Sequence, residues 1–133
     1  MKKLMTTCYG RVRLLPPGAL QVQTSRMAPS YWDAQFKAMV WEFAPAREIL
    51  TAAKRGEDWR TMYRWQMARL SESGRLHQLI KELPDGAVLL CYEADPCDCH
   101  RSILAEIINA TLLAEVTEFP FTPRAKKDKC SRE

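Results

Sequence analysis

Five uninterrupted apolar residues, Ala87-Val88-Leu89-Leu90-Cys91, constrain this chain more than any other feature. A strand with one face in water alternates apolar with polar side chains. An unbroken run suits a strand covered on both faces, the usual state of a central strand in a parallel sheet. Pro84-Asp85-Gly86 supplies the turn that introduces it. Beyond it, Ile103, Leu104, Ile107, Ile108 and Leu112 repeat at spacings of three and four, which predicts a helix over 100–113 laying one apolar stripe on that sheet. In open α/β sheets ligands bind beyond the carboxyl ends of the strands, so a site belongs in the loop between this strand and this helix.

That loop holds the chemistry. Between Tyr92 and Ser102 stand Glu93, Asp95, Cys97, Asp98, Cys99, His100 and Arg101. Asp98 is the expected N-cap, its carboxylate accepting amide hydrogens of the first turn. Cys99, His100 and Arg101 would then fill that turn, where the helix dipole and a neighbouring guanidinium stabilise a thiolate. The same amides form a pocket for phosphate or carboxylate. Cys99 is thus the candidate nucleophile or redox thiol, with His100 or Glu93 moving the proton. Arg101 and Ser102, joined by Arg26, are the expected anion-binding group, and Cys91 and Tyr9 the supporting one. The simpler reading of Cys91 is a small buried residue ending a core strand. For Arg101 it is a structural bond to a nearby carboxylate, Glu93 among the choices. Asp95-Pro96 reads as turn chemistry.

The rest of the chain supplies the frame. Strands are expected at 4–9 and 20–24, their relative direction open. That direction matters, because Tyr9, Arg11, Ser25 and Arg26 reach the loop only if both strands end on its edge. Ser30 is expected to cap a helix running to about Trp41, with Tyr31, Phe36, Met39 and Val40 as its apolar face. A short helix over 46–55 stops at Gly56. Asp58 caps a third, in which Trp59, Met62, Tyr63, Gln66 and Leu70 share a stripe. Gly74 breaks it before a fourth helix carrying Leu76, Leu79, Ile80 and Leu83. Alternation over 115–119 predicts a last strand, and a basic tail follows. Helix, buried strand, helix is the grammar of a parallel α/β fold. The expectation is one Rossmann-like α/β domain over 1–122, its mostly parallel sheet of about four strands flanked by helices, with an unstructured tail over 123–133.

Composition narrows the function classes. No apolar run approaches the roughly twenty residues that span a bilayer, and MKKLMTTCYG lacks the apolar core of a secretory signal. Five cysteines in 133 residues, three of them within nine positions, suit reduced thiols better than an oxidised framework. A cytoplasmic protein without membrane contact is expected. The 20 basic and 16 acidic residues leave a net charge of +4, a modest bias toward anionic partners.

Leu89-Leu90-Cys91-Tyr92-Glu93-x-Asp95-Pro96-x-x-Cys99-His100-Arg101 resembles the signature of domain-of-unknown-function family 488. Ser25-Arg26-x-Ala28-Pro29, the Pro45 helix start and Gly56-x-x-Trp59-x-x-x-Tyr63 resemble the same family, so the likeness covers most of residues 4 to 110. It maps Cys91, Glu93, Cys99, His100 and Arg101 onto the family's motif and leaves Cys97 outside it. The family has no established activity, so the resemblance implies a fold and a place for the site, not a reaction.

Three functional readings follow. In the first, the loop binds or processes an anionic small molecule such as a nucleotide through the thiol, with no cofactor. In the second, Arg55, Arg60, Arg64, Arg69 and Arg75, interleaved with Trp59, Tyr63 and Trp65, make a non-catalytic nucleic-acid module. The simpler account of that helix places Trp59 and Tyr63 in the core and the arginines in water. In the third, Cys91, Cys97, Cys99 and His100 hold a structural zinc. Their C-x5-C-x-C-H spacing is not a zinc knuckle, and adjacent Cys99 and His100 on a helix should diverge, so a metal-free site is preferred.

Overall fold

The strands β1 (Lys2–Cys8), β2 (Gln21–Gln23), β3 (Lys37–Met39), β4 (Val88–Cys91) and β5 (Ala114–Glu118) form one sheet in the order β3-β2-β4-β1-β5. Every pairing in it is parallel. The computed structural model describes residues 1–93 and 99–119. β4 lies at the centre with all its residues buried, as its unbroken apolar run requires. The helices are α1 (Arg47–Lys54), α2 (Trp59–Glu72), α3 (Arg75–Glu82) and α4 (His100–Ala110).

The two faces of the sheet are covered differently. Leu4, Val22, Leu89 and Val116 pack with Ile49 of α1, Tyr63 and Met67 of α2, Leu76 and Ile80 of α3, and Ile103, Leu104 and Ile108 of α4. On the other face Val88 and Leu90 meet Tyr9 and Trp32, delivered by the segment that links β1 to β3. Alternate residues of β4 therefore enter separate clusters, and none has a wet face. Gly56 and Gly74 end the helical runs at φ +73° and +83°, a left-handed backbone that only glycine adopts without penalty. Asp58 caps α2 as expected, its Oδ1 accepting the Thr61 amide at 3.2 Å.

Parallel pairing of β1 and β2 with β4 resolves the open question of direction. The ends of these strands, at Cys8, Gln23 and Cys91, share one edge of the sheet. The chain leaves β1 toward β2 and β3, but leaves β4 toward β5 on the other side. Neighbouring strands whose connections part in this way open a crevice at their carboxyl ends.

Several expectations need correction. The helix over 30–41 does not form. Its place is taken by β3, the fifth strand of the sheet, and a 3-10 turn at Trp41–Phe43. Backbone pairing with β2, extended by Gln21 N–H to Phe36 O at 2.9 Å, outweighs the local helical period. Tyr31 and Phe36 of the supposed apolar face are exposed, while Trp32 is buried and donates its indole N–H to Gln21 Oε1 at 2.8 Å. Tyr9 opens a 3-10 turn after β1 rather than closing the strand. Leu112 lies beyond α4, exposed and at φ +62°, not on the apolar stripe. The tail over 123–133 lies outside the described residues. Among the described residues no helix is long and apolar enough to cross a membrane.

Candidate functional site

Cys91 is the last residue of β4, and α4 starts at His100, so the candidate residues sit at the central strand's carboxyl end. Cys97 and the proposed cap Asp98 lie outside the described residues. Cys99 itself occupies the N-cap position, not the first helical turn, with an extended backbone at φ −133° and ψ 153°. This removes the objection that adjacent Cys99 and His100 diverge. The hundred-degree step between neighbours applies within a helix, whereas Cys99 precedes it, and its Sγ lies 3.6 Å from His100 Nδ1. The sulfurs of Cys91 and Cys99 are joined as a disulfide.

The hydrogen bonds of His100 define its tautomer. Nε2 lies 2.7 Å from the Thr24 carbonyl oxygen, which can only accept, so Nε2 carries the hydrogen. Nδ1 is then a bare lone pair facing the Cys99 sulfur. Burial pulls the imidazole pKa down to about 4; the Thr24 carbonyl opposes this by holding the N–H, and the nearby Arg101 charge adds to it. The ring is neutral at physiological pH. Its edge rests on the Tyr63 ring, with centroids 5.2 Å apart.

Arg101, one residue on, turns the other way. It is fully buried. Its Nε and Nη2 donate to the Glu118 carboxylate at 3.0 and 2.9 Å, and Nη1 donates to Cys91 Sγ at 3.2 Å and to the Glu93 carbonyl. Glu118 also accepts from Thr6 Oγ1 at 2.8 Å and lies 3.7 Å from Arg11. Arg101 thus meets the main chain of Glu93, while its carboxylate partner is Glu118. Ser102 donates its hydroxyl to the Cys99 carbonyl at 3.3 Å. Neither residue lines the cavity beside the site, so of the expected anion-binding group Arg26 is the one placed there.

The cavity, of about 270 Å³, has an apolar wall from Met27, Ile49, Leu50 and Trp59. Cys91, Cys99 and His100 line its polar side, with Arg26 and Glu93. The Arg26 guanidinium stands 5.8 Å over the Trp41 ring. Gln66 holds the apolar wall in place by accepting the Ala46 amide at 2.9 Å and donating to the Ala44 carbonyl at 2.7 Å, which fixes the entry to α1. Tyr63 donates its hydroxyl to the Phe43 carbonyl at 2.8 Å on the same segment. Opposite, Ser25 Oγ gives its one hydrogen to the Met27 carbonyl at 2.6 Å, so Tyr9 must donate to Ser25 Oγ across their 2.9 Å contact. Burial keeps the Tyr9 phenol protonated, raising its pKa to about 12 against the lowering effect of the Ser25 hydrogen bond. Tyr9 therefore supports the Ser25–Met27 rim.

Thr24, Trp59, Ile49, Leu50 and Glu118 are the site residues that sequence reasoning missed. Thr24 acts through its carbonyl, which no side-chain pattern reveals, and Glu118 shares the inward face of β5 with Ala114 and Val116, so its only signal in the sequence is a charge at an inward register. From the sequence, Trp59 reads as core, as a nucleic-acid contact or as part of the family pattern, none of which places it at a cavity. On α2, Arg64 pairs with Glu106 and Arg60 lies 4.8 Å over the Trp59 ring, while Arg75, the first residue of α3, pairs with Glu42. Trp65 is exposed. The ligand atoms of Cys91, Cys99 and His100 all lie within 4.8 Å of one another, the grouping among the described residues suited to a metal ion.

A family model described as DUF488-N3a, the active DUF488-N3 subclade, matches residues 5–112. No curated protein and no solved structure matches.

Proposed function

The chain belongs to the DUF488 family, and from that premise we propose that it is a thiol-dependent enzyme acting on a small anionic molecule with a flat ring, of the nucleotide or nucleoside class. The observation that carries this reading is the tautomer of His100. With its Nε2 hydrogen committed to Thr24, the Nδ1 lone pair is aimed at Cys99 at a cavity wall. A base within reach of a nucleophile, oriented by a third group, is the general pattern of an activated thiol. Cys99, once reduced, attacks an electrophilic atom of the substrate as the bond from that atom to its leaving group breaks; His100 Nδ1 accepts the thiol hydrogen, and Glu93, exposed at the cavity, relays a proton to the departing group. The N-terminus of α4 favours the thiolate. Trp59 offers a ring face for stacking, and Arg26 meets the anion. The description of the matched subclade as active agrees with an enzyme.

The test is calorimetric titration of the reduced protein with a panel of nucleoside monophosphates. One or more of them binds, Trp59→Ala weakens that binding about tenfold or more, and Cys99→Ser retains it. A panel that binds nowhere, or binds Trp59→Ala as well as the parent, overturns the assignment. Reduced Cys99 should also be alkylated by iodoacetamide below pH 8, faster than an ordinary thiol, and loss of that enhancement in His100→Gln identifies its source.

A second reading rests on the grouping of Cys91, Cys99 and His100. Two thiolates and an imidazole that donates its other N–H to a backbone carbonyl form a donor set suited to zinc. Elemental analysis of protein purified under reducing conditions separates the two: one zinc per chain favours this reading, and none favours the thiol.

A further inference from the structure

We propose that Cys91 and Cys99 are a reversible redox pair, Cys99 being the thiol that a hydroperoxide oxidises and Cys91 the resolving thiol whose disulfide silences the site. The proposal rests on the reading of Cys99 as a reactive thiol and adds what controls it. Three observations support it. The two sulfurs are joined across only eight positions of sequence, one at the end of a central strand and the other at the entry to a helix. Both residues line the cavity, so a small oxidant has access to a pair that is otherwise almost entirely buried. Each sulfur also has its own polar partner: Cys99 faces the His100 Nδ1 lone pair, and Cys91 accepts from the Arg101 guanidinium at 3.2 Å. A hydrogen-bond acceptor draws the proton from the attacking thiol, and a fixed cation holds the second sulfur as the thiolate that resolution needs.

The chemistry balances without a metal or cofactor. The Cys99 thiolate attacks one oxygen of a hydroperoxide ROOH and the O–O bond breaks. Cys99 becomes a sulfenic acid, and RO⁻ leaves as ROH with the proton the thiol had given up. The Cys91 thiolate then attacks the Cys99 sulfur, forming the S–S bond and breaking S–O. Hydroxide departs and takes up the proton lost by Cys91 to leave as water. Two thiols and one peroxide give one disulfide, one alcohol and one water, each sulfur losing one electron. A low-molecular-weight dithiol reverses the change by exchange. While the disulfide stands, Cys99 has no thiolate to offer a substrate.

Cys8 provides an internal control. It is buried and free, and it pairs in register with Cys91 on the neighbouring strand, yet it does not line the cavity. Its thiol should react far more slowly than Cys99.

The experiment treats the fully reduced folded chain with one equivalent of hydrogen peroxide, then unfolds it in urea so that iodoacetamide blocks every remaining thiol, buried Cys8 included, and maps the peptides by mass spectrometry. The expected result is loss of two hydrogens as a Cys91–Cys99 disulfide, reversed by dithiothreitol, with Cys8 alkylated. In Cys91→Ser the same treatment leaves a sulfenic acid on Cys99 that dimedone traps. If Cys91 and Cys99 both remain alkylated, or if Cys99 pairs with Cys97 or Cys130 instead, the proposal is overturned. Nucleoside monophosphate binding, measured on the same reduced sample, keeps the two ideas apart. Binding without disulfide formation removes the redox pair alone; disulfide formation without binding removes the substrate assignment alone.

Discussion

His100 and Arg101 are adjacent and both open α4, yet they serve opposite sides of β4. His100 reaches toward β2, ends on a backbone carbonyl and leaves a bare nitrogen beside a cavity. Arg101 reaches toward β5, loses all contact with solvent and meets a carboxylate, a sulfur and a carbonyl. One side leaves bonding capacity for a ligand, and the other closes on itself. The contrast shows that burial of a polar residue at a strand end does not by itself mark a binding group. What distinguishes the two is whether the group borders a cavity, as His100 does beside Cys99, or is enclosed by its own partners, as Arg101 is.

The largest expected effect tests the closed side. Glu118→Ala leaves the buried Arg101 guanidinium without its carboxylate. Breaking a buried pair in this way costs about 3–5 kcal/mol, read as a fall in the urea midpoint. A loss under about 1 kcal/mol would instead class the pair with ordinary surface bridges.

The open side should show in acid. Unfolded histidine titrates at about 6.5, whereas His100 in the folded oxidised protein takes its proton only near pH 4. Between those values the unfolded state holds more protons, so stability falls as pH drops through the window and the loss is complete below it. The full effect is about 3 kcal/mol. His100→Gln should flatten that part of the stability profile relative to the parent, by urea unfolding from pH 7 to pH 4. An unchanged slope would place the titration elsewhere.

The smallest effect sharpens the contrast at the cavity rim. Tyr9→Phe removes the hydroxyl that donates to Ser25 but leaves the Ser25-to-Met27 bond intact, so no buried donor is stranded. A loss of about 1 kcal/mol is expected, with hydrogen exchange quickened at the rim around Met27 and unchanged at β5. Equal loosening at both places would mean that the two sides of β4 are not independent.

Much of the frame was legible in the chain. The unbroken apolar run placed β4, the spacing of three and four placed α3 and most of α4, and Asp58 and Gly56 marked where helices begin and end. Residues 30–41 were misread because a three-residue edge strand draws its stability from pairing with β2, a partner remote from any local window. Cys99 was misplaced by one position, and that single residue decided whether its sulfur meets His100.

What the sequence determined alone is the kind of fold and where three of its polar side chains gather: a doubly covered strand leading into an amphipathic helix puts thiol, imidazole and guanidinium at one edge of a parallel sheet. Periodicity is local, and local spacing suffices for that. Only the tertiary structure decided which group faces the cavity and which is sealed. That choice depends on the Thr24 carbonyl and the Glu118 carboxylate, which lie 76 and 17 residues away along the chain and become partners only when the sheet assembles.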